Sequence, residues 1–378
     1  MNGSIRVGNL FGIPFYVNPS WFLVLALVTF DFGGDLANFS GLSGVLPWFL
    51  GFVTALLLFA SVLAHELGHS FVAIQQGIEV KSITLFLFGG LASLEKESKS
   101  PLEAFLVAIA GPAVSLLLFA LLYAVQANAN LASSLASIVG LLASINLALA
   151  LFNLIPGLPL DGGNILKALV WQVTDNPHKG VLIASRVGQF FGWGGIFYGL
   201  FPILLYGSFN GIWFALIGLF LLQNAGMSAQ SAIVQDQLEG LTAKDAVIPN
   251  SPIVFADLSL REFANEYIIG KNQWRKFLVT DEASKLLGVV VVDDLKTVPT
   301  SNWPVTPVRA LMKSVKTFRT VQSDHSLLEV VKILEKEQLD QLPVVSDKGV
   351  VLGILDTASI RSILEERKKA IDGNIKSG

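Results

Sequence analysis

The sequence predicts a polytopic α-helical membrane domain of about six transmembrane helices with a membrane-associated β-hairpin, followed by a C-terminal α/β domain. Of the 378 residues, 52% are hydrophobic and only 15% are charged, which is too apolar for an ordinary soluble protein. The charges are also unevenly distributed. Residues 1–228 hold only 7 of the 26 Lys and Arg residues and 9 of the 29 Asp and Glu residues, so most of the charge lies in residues 229–378.

Six apolar runs are long enough to cross the ~30 Å hydrocarbon core of a bilayer. They lie near residues 17–33, 45–76, 102–126, 135–155, 186–206 and 210–228. The connections 77–101 and 163–186 carry Lys and Arg, whereas 34–44, 127–134 and 207–209 carry neither. Because positive residues are retained on the cytoplasmic side, this alternation predicts that both termini and the C-terminal domain are cytoplasmic.

Charge and cysteine content exclude several classes of protein. The net charge is −3, without a basic patch, and we therefore expect no nucleic-acid partner. The chain has no cysteine, which excludes disulfides and thiolate metal ligands. Arg6 precedes the first apolar run without a lysine-rich start or a small-residue cleavage site, and we expect no removable signal peptide.

A metal-binding pattern lies near the far end of the second apolar run. His65, Glu66 and His69 form an H-E-x-x-H sequence, which on a helix points two imidazoles from one face. The pair can bind one zinc ion, and Glu66 beside it can act as a general base towards water. The pattern also occurs by chance in soluble helices, but ionisable residues inside an apolar span are costly and usually functional. It lies ~30 Å along its span, towards the cytoplasmic face.

Asp161 is the candidate third metal ligand. It lies in a segment, residues 153–164, that contains two prolines and three glycines and ends the fourth apolar run. Such breaks persist at membrane depth where the backbone lines a cavity. A catalytic zinc ion needs three protein ligands and one open position, and Asp161 has the same predicted depth as His69. The alternative is that Asp161 caps a helix at residues 164–172.

A β-hairpin is predicted at residues 80–94, between the second and third spans. This segment is rich in β-branched and aromatic residues, which favour strands, and the pair Gly89 and Gly90 interrupts it where a turn could form. Open strands are not tolerated facing lipid, so the hairpin must be sheltered by protein or lie at the interface. It could be purely structural, or its edge could pair with an extended peptide. The small residues at 110–115 of the third span predict close helix packing.

These motifs closely resemble the site-2 protease family of intramembrane zinc metalloproteases, in its bacterial and archaeal subgroup with C-terminal CBS domains. The resemblance rests on HELGH at residues 65–69, on N-x-x-P-x-x-P-L-D-G-G from residue 153 and on LFGG at residues 87–90. It covers essentially residues 5–228. It implies hydrolysis of peptide bonds within or near transmembrane helices, in the lipid bilayer of a prokaryotic plasma membrane or an internal photosynthetic membrane.

The resemblance also implies roles for individual residues. One zinc ion would be bound by His65, His69 and Asp161, with Glu66 as the catalytic base. Four residues are implied to hold an unwound substrate: Asn153, Pro159, Gly89 and Gly90. The side-chain amide of Asn153 would position the substrate peptide or stabilise its oxyanion.

The chain departs from the family at three positions. His, Asn and Arg are common there, and this sequence has Asn18, Ser115 and Asn164 instead. None of the three is an implied zinc ligand or the implied base, so the departures bear on how substrate is handled.

The C-terminal domain, predicted at residues 241–370 after a linker at 229–240, resembles a tandem pair of CBS repeats at about 241–300 and 304–366. The equivalent glycines, Gly288 and Gly353, each lie in an apolar strand that follows a helical stretch. Such pairs often bind adenine nucleotides, through Ser or Thr three residues after the glycine and Asp six after it. The first repeat keeps only Asp294 of this pair, and formation of a homodimer through the repeats is the alternative to nucleotide binding.

Other functions remain open on the sequence alone. CBS pairs also regulate channels and transporters, and a broken helix with an intramembrane Asp can mark a transport site; transport would leave Glu66 unexplained. An inactive zinc-binding scaffold is the third option, although every catalytic group is present. The leading prediction is a zinc endopeptidase that acts on transmembrane protein substrates and is modulated by its CBS module.

Overall fold

The chain folds into two compact units that divide between Ile233 and Val234. The structure is a computed structural model and describes residues 3–39, 43–86, 89–270, 274–314 and 318–375. The first unit is mostly helical, and the second combines short helices with two small sheets.

Within the residues that the structure describes, six helices have the length and composition of membrane spans, as predicted, and the chain is a multi-pass membrane protein. Many of their large apolar side chains are exposed, including Phe190, Phe197 and Leu204, as is expected of surfaces that face lipid. A shorter amphipathic helix separates the fourth and fifth spans. In chain order the helices are α1 (Ser20–Phe39), α2 (Leu46–Gln75), α3 (Pro101–Asn128), α4 (Ser133–Asn153), the short α5 (Asp161–Thr174), α6 (Pro177–Tyr206) and α7 (Ile212–Leu238).

The ends of the spans differ from the apolar runs because capping groups, not hydropathy, decide where a helix begins. The fifth span starts at Pro177, nine residues before the predicted start, since the Asn176 side chain accepts a hydrogen bond from the backbone N–H of Lys179 and Pro177 suits the first turn. The apolar run predicted at 17–33 begins as a helix only at Ser20, whose backbone N–H donates to the Asn18 side chain.

The first unit also contains a four-stranded sheet. The predicted hairpin at 80–94 is present as strands β3 and β4, and two further strands come from the N-terminal residues, which the sequence analysis did not assign. Strands β2 and β3 are parallel, and the other neighbouring pairs are antiparallel. The order β1-β2-β3-β4 leaves β4 at one edge, and the bounds are β1 (Ile5–Leu10), β2 (Ile13–Val17), β3 (Val80–Phe86) and β4 (Gly89–Leu94).

This sheet packs on the half of α2 that carries the H-E-x-x-H sequence. Leu85 of β3 is buried with Phe59 and Val62, which precede His65. Ile83 of the same strand is buried in a second cluster with Ala73, which follows His69. Apolar contacts on both sides of the motif therefore hold β3, and with it β4, beside the two histidines.

The helix-breaking segment between α4 and α5 is anchored on α6. The backbone N–H of Leu158 donates to the carbonyl oxygen of Ala184 at 3.1 Å. Gly188 lies so close that a Cβ added to it would be 2.0 Å from the Leu158 carbonyl oxygen. Since Leu158 lies three residues before Asp161, α6 helps to position the start of α5.

The second unit contains two related halves, as the internal repeat predicted. Hairpin β6–β7 of the first half corresponds to hairpin β10–β11 of the second, and Leu278 and Val289 share a buried cluster with Val351 and Ile354. The sheets have the orders β5-β6-β7-β8 and β11-β10-β9. The bounds are β5 (Ile253–Phe255), α8 (Leu260–Phe263), β6 (Lys276–Thr280), β7 (Leu286–Val291), β8 (Lys313–Ser314), β9 (Val321–Gln322), α9 (Leu327–Glu337), β10 (Gln341–Val345), β11 (Val351–Asp356) and α10 (Thr357–Ile375).

The segment predicted as a linker, residues 229–240, is helical through Leu238 because α7 continues into it. Its residues are Ala, Gln, Ile, Val, Asp and Leu with a single Ser before Glu239, and most of these are good helix formers. Gly240, with a positive φ of 76°, is where the chain turns away.

Candidate metal and peptidase site

Two histidines of α2 and the first residue of α5 converge on one point. The Nε2 atoms of His65 and His69 are 3.2 Å apart. The carboxylate of Asp161 places Oδ2 3.0 Å from His65 Nε2 and Oδ1 3.3 Å from His69 Nε2. The side chains are 4%, 11% and 17% exposed in that order. The structure thus brings together three groups that are separated by as many as 96 positions in the chain.

The chemistry of these atoms fits a bound cation. His69 Nδ1 lies 2.6 Å from the carbonyl oxygen of Val107, which can only accept, so Nδ1 carries the proton and Nε2 of the neutral ring presents a lone pair. That lone pair faces a carboxylate and a second imidazole nitrogen. Tetrahedral zinc with N and O ligands at about 2.0–2.2 Å has neighbouring ligand atoms roughly 3.3–3.6 Å apart, slightly more than the 3.0–3.3 Å observed. His65, His69 and Asp161 could therefore hold zinc.

Asp161 does not act as the helix cap considered above. The N-cap residue of α5 is Leu160, and no side chain makes a cap hydrogen bond there. Asp161 is the first helical residue, and its carboxylate faces the histidines. A negative charge at this end of a helix is also favoured by the helix dipole.

Glu66 lies on the side of α2 that faces strand β4. A Cβ added to Gly90 would be 2.4 Å from Glu66 Cγ and 2.9 Å from Oε1. The edge strand thus passes directly over the carboxyl group. Gly90 pairs with Leu85 of β3 in the hairpin, which leaves the opposite edge of β4 at the end of the sheet.

Three residues of α3 also contact the histidines of this site. They are Val107, Gly111 and Ser115, spaced four apart on one helix face. The sequence predicted only helix packing for Gly111 and a link to substrate handling for Ser115, and it gave no role to Val107. Ser115 Oγ is 3.0 Å from His65 Nδ1 and is fully buried. A Cβ added to Gly111 would lie 2.2 Å from His69 Nε2 and 2.6 Å from His65 Nε2. The spacing i, i+4, i+8 was the only signal available in the sequence.

The other predicted site residues lie in the neighbouring segments. Asn153 is the last residue of α4 and is partly buried, and Pro159 follows a cis peptide bond in the loop before Asp161. Gly89 begins β4 with φ 135°. Leu87 and Phe88, which form part of the LFGG sequence, lie outside the described residues. No contact described for Asn153 or Pro159 joins either side chain to His65, His69, Glu66 or Asp161.

In the second unit, Asp294 differs in its surroundings from Asp356 and Ser359, which occupy the positions three and six residues after the glycine of the second repeat. Asp294 follows β7, its side chain is 31% exposed, and Oδ2 is 3.7 Å from Lys313 Nζ. In the second repeat Asp356 accepts from the backbone N–H of Ser359, and the Ser359 hydroxyl donates to the Asp356 carbonyl oxygen. Asp356 and Ser359 thus hydrogen-bond to each other at the start of α10, whereas the Asp294 side chain is partly exposed to solvent.

A fold of six spans around a buried His-His-carboxylate cluster with an adjacent glutamate defines the class of membrane-embedded metallopeptidases. Residues 53–132 and 125–194 match the sequence profile of "Peptidase family M50", and residues 308–366 match that of the "CBS domain".

Two relatives that are similar along 97% of the chain agree with these matches. The chain is 60% identical over 365 residues, 97% of its length and 96% of the relative's, to "Putative zinc metalloprotease sll0528" of Synechocystis sp.. It is 30% identical to "Putative zinc metalloprotease Rip3" of Mycobacterium tuberculosis, over 97% of this chain and 94% of the other. The solved "Site-2 Protease from Methanocaldococcus jannaschii" is 31% identical, covers 60% of this chain and 95% of that one, and has a TM-score of 0.43.

The chain belongs to the site-2 protease family, peptidase family M50, with a C-terminal CBS domain. It is an enzyme of the zinc metalloprotease class, as the sequence predicted, and not a transporter.

Proposed function

We propose that this chain is an intramembrane zinc endopeptidase that cleaves peptide bonds within or near the transmembrane helices of other membrane proteins. The observation that carries the proposal is the convergence of the two Nε2 atoms and the Asp161 carboxylate, with Glu66 one residue from the first ligand. His65, Glu66 and His69 lie in α2, a helix that is itself long enough to span a membrane.

His65, His69 and Asp161 would hold the zinc ion. When bound, the ion supplies Lewis-acid chemistry, polarising a peptide carbonyl and making water more acidic. The protein contributes a buried environment, since the ligand side chains are at most 17% exposed. Burial lowers the effective dielectric constant and strengthens every charge interaction at the site.

Glu66 is the proposed general base and acid. Its carboxylate takes the proton from the attacking water and passes it to the leaving amine as the peptide bond breaks. Gly90 lies against this carboxyl group and limits the orientations open to it. General acid–base catalysis requires such positioning because the proton must move across a hydrogen bond of about 2.6–3.2 Å.

The edge of β4 is the proposed site for the unwound substrate. A transmembrane helix hides its carbonyls in internal hydrogen bonds, so the segment to be cut must become extended before it can react. Strand addition at Gly89 and Gly90 would supply backbone partners for that segment beside Glu66. Asn153, at the end of α4, has an amide that can donate to a carbonyl oxygen of this segment. Pro159, in the loop that leads to Asp161, is the other residue proposed to contact the substrate.

The second unit is the proposed regulatory module. We place both termini and this unit in the cytoplasm on the basis of the loop charges. The accessible Asp294 carboxylate, with Lys313 close by, offers an acceptor for a ribose hydroxyl and a cation for a phosphate, which supports an adenine nucleotide as the ligand of the first repeat. Association of two chains through the repeats is the remaining proposal for this unit.

The test compares the full-length protein with Glu66→Gln and, as a matched control, Glu79→Gln, an exposed carboxylate just beyond α2. We expect about one zinc per chain by mass spectrometry of metals in all three proteins. Cleavage of membrane proteins in cells should be lost only in Glu66→Gln, and cross-linking that variant to its bound proteins would identify the substrate. Unchanged cleavage in Glu66→Gln would contradict the proposal, as would a wild-type protein without zinc.

A further inference from the structure

One face of helix α3 contacts both histidines of the proposed zinc site, His65 and His69. Val107 pairs with His69 and Ser115 pairs with His65, while Gly111 faces both rings. The histidines are four residues apart on α2, and each of these α3 positions is four residues from the next. We propose that this face of α3 is a positioning template that sets the ring orientation and tautomer of both histidines, and that Ser115 and Gly111 are positioning residues for metal binding.

The contact with Val107 fixes one ring. A backbone carbonyl can only accept, so the 2.6 Å contact requires His69 Nδ1 to be the protonated nitrogen. The backbone of α3 cannot rotate away as a side chain can. The orientation of His69 therefore depends on how closely α3 approaches α2 and not on the side chain at position 107.

The contact with Ser115 fixes the other ring. Ser115 Oγ is fully buried and lies 3.0 Å from His65 Nδ1. A hydroxyl can accept the Nδ1–H, which leaves Nε2 of the neutral ring unprotonated and directed at Asp161. Partners of this kind on the second ring nitrogen raise the basicity of a metal-binding histidine and hold its ring plane.

Gly111 makes the approach of the two helices possible. It lies between Val107 and Ser115, and a Cβ there would be 2.2 Å from His69 Nε2, closer than any van der Waals contact allows. Gly68 on α2 makes the reciprocal approach, since its added Cβ would be 2.9 Å from the Ala110 carbonyl oxygen. With a larger residue at either position, α3 would be displaced and both ring contacts would lengthen.

The inference rests on the proposed zinc site, and its test measures zinc affinity and not cleavage. The full-length protein in detergent would be titrated against a chromophoric zinc chelator, as wild type and as Ser115→Ala, Ser115→Thr and Gly111→Ala. The matched controls are Ser185→Ala, a fully buried serine of α6, and Gly194→Ala, a glycine of the same helix whose added Cβ would meet no atom within 4 Å.

We expect Ser115→Ala to bind zinc about 10- to 100-fold more weakly, the range for loss of an outer-shell partner, and Ser115→Thr to recover most of this loss because it keeps the hydroxyl. Gly111→Ala should lose at least as much affinity, and both controls should match wild type. If Gly111→Ala fails to fold, as judged by size-exclusion chromatography, the serine pair decides.

Three outcomes would overturn the inference. They are a zinc affinity of Ser115→Ala equal to that of wild type, a loss of zinc affinity in Ser185→Ala as large as in Ser115→Ala, and a Ser115→Thr protein that binds zinc no better than Ser115→Ala. His65→Ala and Asp161→Ala separate it from the proposed function. If these two variants lose zinc while the Ser115 and Gly111 variants keep it, only the template is wrong. If these two variants also keep zinc, the proposed metal site itself is wrong.

Discussion

Gly90 of strand β4 lies directly over the carboxyl group of Glu66, and a Cβ at this position would be 2.4 Å from Glu66 Cγ. The strand and the helix approach each other at the residue that is proposed to move protons. This relationship couples the position of the edge strand to the position of the catalytic base, and it makes Gly90 a sharp probe of both.

We expect Gly90→Ala to reduce cleavage by about 10²-fold, the size of effect that a displacement of about 1 Å can have on a reacting group. The added methyl must push Glu66 or β4 aside, whereas the metal ligands are not in its path. Cleavage of a substrate identified with the Glu66→Gln protein is the measurement, with zinc content measured in parallel.

Gly8→Ala is the matched control for Gly90→Ala. Gly8 lies in β1, at the other edge of the same sheet, and its added Cβ would meet no atom within 4 Å. Cleavage by Gly8→Ala should equal that of wild type. A Gly90→Ala enzyme with full activity would show that β4 tolerates displacement and would argue against its role beside Glu66.

The anchor between α6 and the segment before Asp161 gives a second prediction. In Gly188→Ala the new Cβ would be 2.0 Å from the Leu158 carbonyl oxygen, which is backbone and cannot rotate away. We expect the segment to shift and zinc affinity to fall about tenfold or more as Asp161 leaves its position.

Gly194→Ala serves as the control for Gly188→Ala, since it introduces the same methyl into the same helix without a neighbour. Chelator competition on both proteins is the measurement. Equal zinc affinity in the two variants would mean that α6 does not position Asp161.

The nucleotide proposal predicts that Asp294 is required for binding. Calorimetric titration of residues 234–378, a compact unit with its own buried clusters, with AMP, ADP and ATP should give heat with at least one of them. Loss of a hydrogen bond to a carboxylate costs about 1.5–3 kcal/mol, so we expect Asp294→Ala to bind more than about tenfold more weakly.

The neighbouring Asp293, which pairs with Lys296 on the surface, provides the control, and Asp293→Ala should keep the affinity. Absence of heat with all three nucleotides would remove nucleotide binding and leave association of two chains as the proposal for this unit, which sedimentation analysis would then test.

A capping interaction predicts how the stability of the second unit depends on pH. Hydrogen bonds from the Thr242 backbone N–H and hydroxyl lower the pKa of the Asp245 carboxyl below its usual value near 3.8. The folded state then binds this proton more weakly than the unfolded state, so the stabilisation is complete above about pH 4 and is lost as the pH falls below it.

We expect Asp245→Asn to lower the free energy of unfolding of residues 234–378 at pH 7 by less than about 1 kcal/mol, because the carboxylate is solvent-exposed. Urea unfolding at pH 7 and at pH 3 is the measurement, and the difference from wild type should shrink at the lower pH. Asp347→Asn, in the exposed turn before β11, is the control. A difference that stays constant with pH would contradict the role of the charge.

Much of the fold could be predicted because it follows from local patterns. The six spans follow from long apolar runs, and the hairpin follows from β-branched residues around Gly89 and Gly90. Strands β1 and β2 were missed although they form a local antiparallel hairpin around Phe11 and Gly12, both of which have positive φ. Only the parallel pairing of β2 with β3, with Phe15 opposite Ile83, is non-local and has no turn to indicate it. The extent of α7 was missed because its polar end has helix propensity but no apolar run.

The candidate site also contains residues that the sequence could identify and residues that only the structure could identify. His65, Glu66 and His69 are recognisable from their spacing on one helix, and Asp161 from an isolated carboxylate in a broken span. Ser115 and Gly111 have residue types that are common in packed membrane helices, so their type carried no signal for metal binding. Their role in the proposal depends on contacts with residues 42 to 50 positions away.

The sequence by itself determined which segments span the membrane and which side chains can bind a metal and move a proton, because hydropathy and helical spacing are properties of short stretches of chain. Only the tertiary structure decided that the edge of β4 crosses Glu66, that α6 holds the segment before Asp161 and that α3 contacts both imidazoles. Those relationships arise from close backbone approach between distant segments, which glycine permits but no local pattern specifies.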